Sequence, residues 1–199
     1  SLMEAQVSFL VDAAMEYLIA GHVRQRWGSE HSQIVPYKAF RTADGYLVIG
    51  AGYQTVYEPF AKAIGREDLI TDPRFATLRD RVINREEMYA ILDAELAKYT
   101  TEELSRTLNV YGVPNAPVND MSQVFRHPQL LHRRMLLELE HPVYGRVPTL
   151  GSAIKYSDLD VTEGWRPPPL LNEGAEQVLE EWLGIRPEEI ATATQAAGS

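Results

Sequence analysis

Side chains able to do chemistry are plentiful in this sequence, but their spacing matches none of the common catalytic motifs. The histidines form no HExxH pair and have no third ligand at zinc-like spacing, so a metal site has no support. They are His22, His31, His127, His132 and His141. No serine sits in a GxSxG elbow, which argues against a hydrolase-type triad. With no cysteine in the chain, thiolate nucleophiles, disulfides and cysteine-based zinc sites are excluded.

Glycines and carboxylates give no clearer signal. The segment GAGYQ follows an apolar run, but it fits neither GxGxxG nor the P-loop pattern. Glycines at the end of a strand are the simpler interpretation. The 28 Asp and Glu residues lie mostly at predicted helix starts or on solvated helix faces, where carboxylates cap helices or keep a surface soluble. The residues alone therefore single out no acid, base or nucleophile.

The composition is that of a folded protein with an acidic surface. Hydrophobic residues make up 45% of the 199 residues, and the formal net charge is −9. That charge repels nucleic-acid phosphates and anionic lipids, so we expect neither nucleic acid nor membrane as a partner. The apolar stretch 2–20 is interrupted by Glu4, Asp12 and Glu16, which indicates an amphipathic helix rather than a membrane span. The lack of cysteine is typical of a reducing interior, and we expect a cytoplasmic protein.

Secondary structure can be predicted from caps, turns and periodicity. The first helix should span 2–20 and end at Gly21. Because it opens with no apparent cap or lead-in, we expect Ser1 to be the boundary of a fragment. Two β-prone runs, 34–42 and 46–51, are joined by a turn and predict a hairpin.

Capping boxes predict two consecutive helices in the middle of the chain. Asn84 with Glu87 is the first, and Thr100 with Glu103 is the second. The other expected elements are a helix over 55–64, a short strand over 113–118, a short helix near 124–131, strands over 135–156 around a turn at 144–145, a Pro-rich linker over 165–169, a helix over 175–183 ended by Gly184, a last helix from Pro187 and a fraying tail from Thr192. The middle of the chain is thus predicted to be α+β.

Five segments in a fixed order carry a resemblance to a known family. They are VPYKAFRTADGYLVIGAG, DPRFATLRDRVINREEM, YGVPNAPVNDMSQVFRHPQLLHRRM, EHPVYGRVPTLGSAIKYS and RPPPLL. Together they resemble the class III CoA-transferases, which include formyl-CoA transferase and carnitine-CoA transferase, from residue 1 to about 184. The segment RWGSEHSQIVPYKAF is most similar to the branch that moves CoA between dicarboxylates.

The resemblance implies an α/β protein in which a Rossmann-like large domain, built from both ends of the polypeptide, encloses a small α+β domain. On that template residues 1–33 end the large domain and form a connecting helix. Residues 34–160 are the small domain, and residues 161–199 are a linker and helices that return to the large domain. Most of the large domain lies outside the chain. The family also implies an interlocked homodimer.

The chemistry implied by the resemblance is transfer of CoA from an acyl-CoA to a small carboxylic or dicarboxylic acid. An Asp attacks the thioester and forms an aspartyl-CoA intermediate, which is covalent catalysis. The CoA thioester is a substrate, and no tightly bound cofactor is implied. The family's Asp lies upstream of the segment SLMEAQV, so no residue here matches it, and Asp12 is not a substitute. We therefore expect the isolated chain to be inactive.

One segment that matches a functional part of the family is the loop 28–33. It corresponds to a flexible, often glycine-rich loop that faces the family's active site, which makes Gly28, Ser29, His31 and Ser32 the candidate substrate-binding residues. The loop reads GSEHSQ and has a single glycine, so an ordinary connecting loop is the competing interpretation. A second departure from the family is NEG after RPPPLL.

Two other functions stay open. An α-methylacyl-CoA racemase-like enzyme shares the fold but moves a proton, using an upstream acid and base. A non-catalytic binding module would need no active site, but large exposed apolar faces on the first and last helices would argue against it.

Overall fold

The computed structural model describes residues 1–186 and residue 189. The predicted helix from Pro187 and tail from Thr192 begin outside the described residues. The chain divides into two compact units, Ser1–Val118 and a second unit that starts at Asn119. The domain boundaries expected after residues 33 and 160 stay a prediction.

The amino-terminal segment forms two helices, α1 (Leu2–Ser8) and α2 (Val11–Ala20), so the single predicted helix is wrong. The Ser8 hydroxyl donates to the Ala5 carbonyl oxygen at 2.6 Å, and that oxygen would accept the Phe9 N–H in a continuous helix. Phe9 N–H instead donates to the carbonyl of the residue three before it. The predicted stop is confirmed, because Gly21 ends α2 with a φ of 68°.

A cap is present at the start of α1, contrary to expectation. The Ser1 side chain accepts from the Glu4 N–H and the Glu4 carboxylate accepts from the Ser1 amino group, which is a capping box. Neither α1 nor α2 has a buried residue. Their large apolar side chains, including Leu18 at 71% and Ile19 at 78% exposed, face away from any core of the described residues.

The first unit contains a three-stranded antiparallel sheet. The predicted hairpin is confirmed as β1 (Tyr37–Arg41) and β2 (Tyr46–Gly50), in a register that pairs Ala39 with Val48. The third strand, β3 (Asn115–Pro117), pairs with β2 and is shorter than the predicted 113–118. Gly50 N–H donates to the Pro114 carbonyl at 3.1 Å, but Pro114 has no N–H to donate in return, which ends the ladder on that side.

Five helices pack with this sheet. They are α3 (Gln54–Ala63), α4 (Asp68–Thr71), α5 (Leu78–Ile83), α6 (Arg85–Leu96) and α7 (Thr101–Val110). One hydrophobic cluster joins strands and helices, with Phe40, Phe60, Met88 and Leu104 among its fully or nearly fully buried members. All of its residues belong to the first unit.

One of the two predicted capping boxes is confirmed and the other is wrong. Thr100 and Glu103 bond reciprocally at the start of α7. Asn84 makes no cap at α6, because its side-chain amide donates instead to the carbonyls of Arg74 and Asp80 at 3.0 Å. A capping box that was not predicted, between Thr77 and Asp80, starts α5.

The second unit is built from short elements. It contains α8 (Met121–Val124), α9 (Pro128–His132), the antiparallel pair β4 (Leu136–His141) and β5 (Gly145–Leu150), and α10 (Ala175–Leu183). The predicted turn at 144–145 and the Gly184 stop are confirmed. Its buried side chains within the described residues are polar, namely His141 and Thr162.

A guanidinium lies in the core of the first unit. Arg81, on α5, is 0% exposed. It donates to the carbonyl oxygens of Val35 at 3.0 Å, Phe75 at 2.8 Å and Gly52 at 2.6 Å, and to Gln54 Oε1 at 3.2 Å. Desolvation of the cation lowers the pKa of Arg81. Main-chain oxygens and an amide, rather than a carboxylate, therefore compensate its burial.

An aromatic face and a close backbone contact complete this site. The Arg81 guanidinium carbon lies 3.8 Å from the centroid of the Tyr57 ring. At Gly52, an added Cβ would lie 2.3 Å from Ile34 Cγ2 and 2.9 Å from Val35 N, so a side chain there would push the two segments apart. Arg81 thus holds together Val35 before β1, Gly52 after β2 and Gln54 at the start of α3.

We predict that Arg81→Met lowers the free energy of unfolding by about 2–5 kcal/mol, because several buried acceptors lose their donor together. The matched change Arg79→Met, at an exposed position of the same helix, should shift it by less than about 0.5 kcal/mol. Urea unfolding followed by circular dichroism measures both. Equal midpoints for the two variants would contradict this account of the core.

Candidate functional site

The loop 28–33 is folded against β1. Gly28 is exposed with a φ of 63°, a left-handed conformation that favours glycine. The Ser29 hydroxyl oxygen accepts from the Ala39 N–H at 3.2 Å, and His31 N–H donates to the Tyr37 carbonyl at 2.9 Å. The segment is thus held in a defined conformation by hydrogen bonds to the strand that follows it.

The two nitrogens of the His31 ring differ in their hydrogen bonding. Nδ1 accepts from the N–H groups of Gln33 and Ile34, both at 3.1 Å, so in the neutral ring the proton is on Nε2. The ring stacks on Tyr37 with centroids 5.6 Å apart and an interplanar angle of 18°. No hydrogen bond to Nε2 comes from the described residues. His31 can therefore offer an N–H to an anionic oxygen while its other nitrogen holds the turn.

The same use of a histidine occurs twice in the second unit. His141 Nδ1 accepts from Val143 N–H at 3.1 Å and Tyr144 N–H at 3.2 Å, and His127 Nδ1 accepts from Gln129 N–H at 3.2 Å. Turn stabilisation is thus a general role of histidine in this chain. The two side chains His31 and His141 differ in solvent exposure, since His141 is 7% exposed and His31 is half-buried.

The structure brings the four predicted site residues together in one loop but engages several of their groups internally. Ser29 Oγ and His31 Nδ1 accept main-chain hydrogen bonds, and the Ser32 carbonyl accepts from Arg85. Sequence reasoning missed Arg85, which contacts this loop from the start of α6. The available signal was an arginine at the first helical position, where acidic residues are favoured.

A shallow groove of about 470 Å³ lies beside the loop. It is bordered by Trp27 and Arg85, and its other lining residues are Gln25, Val82, Ile83, Asn84, Glu86 and Glu87. The groove has a mixed polar lining within the first unit, so it can accommodate a small polar molecule next to the loop.

Asp12 has the environment of a surface ion-pair partner rather than of a nucleophile. Its carboxylate lies 3.1 Å from Arg24 Nη1 on the exposed side of α2, and the hydrogen bond and charge of Arg24 lower the pKa of Asp12. Glu16 also pairs with Arg24, and its pKa is lowered chiefly by His22. Both carboxylates are thus stabilised as anions by partners on the surface.

A second groove, of about 420 Å³, lies in the second unit. Its basic side chains are His132, Arg133, Arg134 and Lys155, and Asp158 and Asp160 offset part of their charge. Arg134 Nη1 donates to Asp160 Oδ2 at 2.6 Å. The Thr162 hydroxyl and N–H donate to Asp160 Oδ1 at 2.6 and 2.9 Å. These donors lower the pKa of Asp160 to about 2, with the Thr162 hydroxyl as the largest cause.

Comparison with known proteins places the chain in a family. The sequence model of CoA-transferase family III matches residues 1–175. The chain is 38% identical to human succinyl-CoA:glutarate CoA-transferase over 183 residues, which is 92% of the chain and 42% of the human protein. It is 30% identical to succinate–glutarate CoA-transferase of Agrobacterium fabrum over 181 residues, covering 91% of the chain and 45% of that protein. The chain therefore belongs to CoA-transferase family III, as its residues predicted.

Structural similarity agrees with this membership. A CAIB/BAIF family protein from Brucella suis has a TM-score of 0.73 and 32% identity, over 86% of this chain and 44% of that one. The predicted mixed α/β class is confirmed, with helices and two small sheets. The chain spans less than half the length of these relatives.

Two further observations concern the described residues. Across residues 1–186 and 189, no helix combines the length and apolar character needed to cross a bilayer. In the same residues, no three His, Asp or Glu side chains converge as a metal site would require.

We predict that NMR titration gives Asp160 a pKa of about 2, and that Thr162→Val raises it more than Arg134→Gln does, because the hydroxyl is the largest cause of the lowering. A lowered pKa means that this carboxylate stabilises the folded unit above pH 3.8, its ordinary pKa, and that the contribution is lost as pH falls through about 2. A pKa of 3.8 in the unsubstituted chain would contradict the observed hydrogen bonds.

Proposed function

We propose that this chain is the C-terminal portion of an enzyme that transfers CoA from an acyl-CoA to a small carboxylic or dicarboxylic acid. The observation that carries the proposal is membership of CoA-transferase family III over residues 1–175. Relatives at 38% and 30% identity are named for transfer of CoA between succinate and glutarate, which favours a dicarboxylate as acceptor.

The proposed reaction uses a carboxylate nucleophile. An aspartate attacks the thioester carbonyl and expels the CoA thiolate, which leaves a mixed anhydride. The thiolate then attacks the aspartyl carbonyl, releases the donor acid and forms an aspartyl-CoA thioester, from which CoA passes to the acceptor acid. We place this aspartate outside the chain. The exposed, ion-paired state of Asp12 supports that placement, because a carboxylate that faces solvent and is paired with a cation is a weaker nucleophile than one in a cavity that excludes water.

The loop 28–33 is the proposed contribution of this chain to substrate binding. An acid substrate presents carboxylate oxygens, which need N–H or O–H donors. His31 Nε2 offers such a donor, while the turn made by Nδ1 fixes the direction of the ring. Gly28, Ser29 and Ser32 supply the exposed or half-buried backbone and hydroxyl groups around it. We propose that these four residues contact the acceptor acid.

The other parts of the proposal concern the whole protein. The CoA thioester acts as a substrate, with no tightly bound cofactor, in a cytoplasmic enzyme. Residues 1–33 and 161–199 would belong to a Rossmann-like large domain that lies mostly outside this chain, and residues 34–160 to the small domain. The coverage of 42% to 45% of the relatives' length supports a large part of the protein lying outside this chain.

We predict that the isolated chain has no CoA-transferase turnover, whereas the full-length protein exchanges CoA between succinyl-CoA and glutarate. The reason is that the nucleophile lies in the part of the polypeptide outside this chain. Product acyl-CoA is measured by chromatography, with free CoA plus acid as the blank. Any turnover by the purified chain would contradict the proposal. Loss of that turnover in an Asp12→Ala variant would identify Asp12 as the nucleophile, and its persistence would place the nucleophile elsewhere in the chain.

We also propose a homodimer, supported by the apolar residues that α1 and α2 leave exposed, among them Leu18 and Ile19. Burying one such side chain against a second copy contributes about 1.5–3 kcal/mol. Leu18→Glu should therefore weaken self-association in sedimentation experiments more than Gln6→Glu, which adds the same charge to the same segment at an exposed polar position. A monomeric parent chain, or equal effects of the two substitutions, would argue against the dimer.

A further inference from the structure

The side chain of Arg85, the first residue of α6, is directed into the loop 28–33. It is 11% exposed. Its Nη2 donates to the Ser32 carbonyl oxygen, and its Nη1 lies 3.5 Å from the His31 carbonyl oxygen. The same Nη1 lies 3.7 Å from a carboxylate oxygen of Glu30, so one guanidinium contacts three consecutive residues of the loop.

The ring of Trp27 also contacts the guanidinium of Arg85. The Arg85 guanidinium carbon lies 4.2 Å from the centroid of the Trp27 ring, the residue that precedes the loop. Its Nε donates to the Val82 carbonyl at 3.4 Å, which anchors the side chain to the end of α5. The planar fork of arginine fits this arrangement, because its N–H groups point in fixed directions in one plane.

The location of Arg85 is unfavourable for helix stability. The N-terminus of a helix carries partial positive charge, so a cation in the first turn is repelled and Asp or Glu is favoured there. Glu86 and Glu87 in the same turn follow the rule, and Arg85 does not. Its contacts with the loop, rather than its place in the helix, explain an arginine at this position.

We propose that Arg85 is a positioning residue that sets the conformation of the loop 28–33 for substrate binding. By holding the carbonyls of His31 and Ser32, it fixes the His31–Ser32 and Ser32–Gln33 peptide planes, one on each side of the Ser32 Cα. The turn closed by His31 Nδ1 holds the ring and leaves Nε2 without a hydrogen bond from the described residues, so that Nε2–H can act as a donor. The inference has a structural half, that Arg85 sets the conformation of the loop, and a functional half, that this conformation serves substrate binding. The functional half rests on the proposed binding of the acceptor acid by the loop.

The structural half is tested by the fluorescence of Trp27. In a Trp165→Phe/Trp182→Phe background Trp27 is the only indole, since the chain has three tryptophans. Arg85→Met should shift its emission to longer wavelength and raise its acrylamide quenching constant about twofold, because the stacked cation no longer covers the ring. Arg85→Lys should lie between the parent and Arg85→Met, and Arg79→Met, at an exposed site without contacts to the loop, should match the parent.

The functional half is tested by kinetics in the full-length protein. Arg85→Lys keeps the charge but cannot bridge two carbonyls, so the KM for glutarate should rise about tenfold. The KM for succinyl-CoA and kcat should change less than about threefold, because the loop is proposed to contact the acceptor acid and the proposed nucleophile lies outside this chain. Arg79→Met is again the control, and urea unfolding of each variant separates a loop effect from loss of the fold.

The outcomes distinguish the proposals. Unchanged Trp27 fluorescence in Arg85→Met would overturn the inference outright. Altered fluorescence with an unchanged KM for glutarate in an active enzyme would overturn its functional half. If the unsubstituted full-length protein transfers no CoA, the proposed function fails instead, and the Trp27 measurement alone decides whether Arg85 sets the loop.

Discussion

The need to satisfy the buried guanidinium of Arg81 organises the first unit. A fully buried cation without a carboxylate partner is tolerated only when its N–H groups all find acceptors. Here the acceptors come from the approach to β1, from the chain after β2, from α3 and from the segment before α5. Three separate parts of the chain, at residues 35, 52–54 and 75, must therefore meet at one point. No buried side-chain nitrogen or oxygen among the described residues lacks a hydrogen-bond partner.

The loop 28–33 is positioned by residues next to those that Arg81 holds. Val35, whose carbonyl Arg81 binds, follows Ile34, whose N–H donates to His31 Nδ1. Arg85, four residues after Arg81, contacts the loop 28–33 through the Ser32 carbonyl. Arg81 on α5 and Arg85 on α6 thus hold, respectively, the segments that meet in the core and the loop 28–33 beside them. A loop on such a rigid base loses less conformational entropy on binding a ligand than a free one.

Patterns that depend on local interactions were predictable from the sequence. The hairpin of β1 and β2, the capping box of Thr100 and Glu103, and the glycine stops at Gly21 and Gly184 all follow from neighbouring residues. The Asn84 box failed because a tertiary contact, to the Arg74 carbonyl, uses the side chain that a cap would need. The first helix broke at Phe9 because the Ser8 hydroxyl takes a carbonyl of the preceding turn. Family membership was predictable because five segments occur in one order.

The site was only partly predictable, because its contacts join distant residues. The loop 28–33 followed from the resemblance, but its attachment to Arg85 joins residues more than fifty positions apart. The role of His31 Nδ1 as a turn acceptor could not be predicted from the sequence, because the related turns of His127 and His141 are evident only in the structure. Arg81 had no signal, because an arginine on a short helix is normally solvated.

We propose above all that the loop 28–33 binds the acceptor acid. The most direct measurement is a crystal structure of the full-length protein soaked with glutarate. We expect a glutarate carboxylate oxygen about 2.7–3.2 Å from His31 Nε2, which is hydrogen-bond distance. Glutarate bound at the catalytic carboxylate without any contact to residues 28–33 would contradict it.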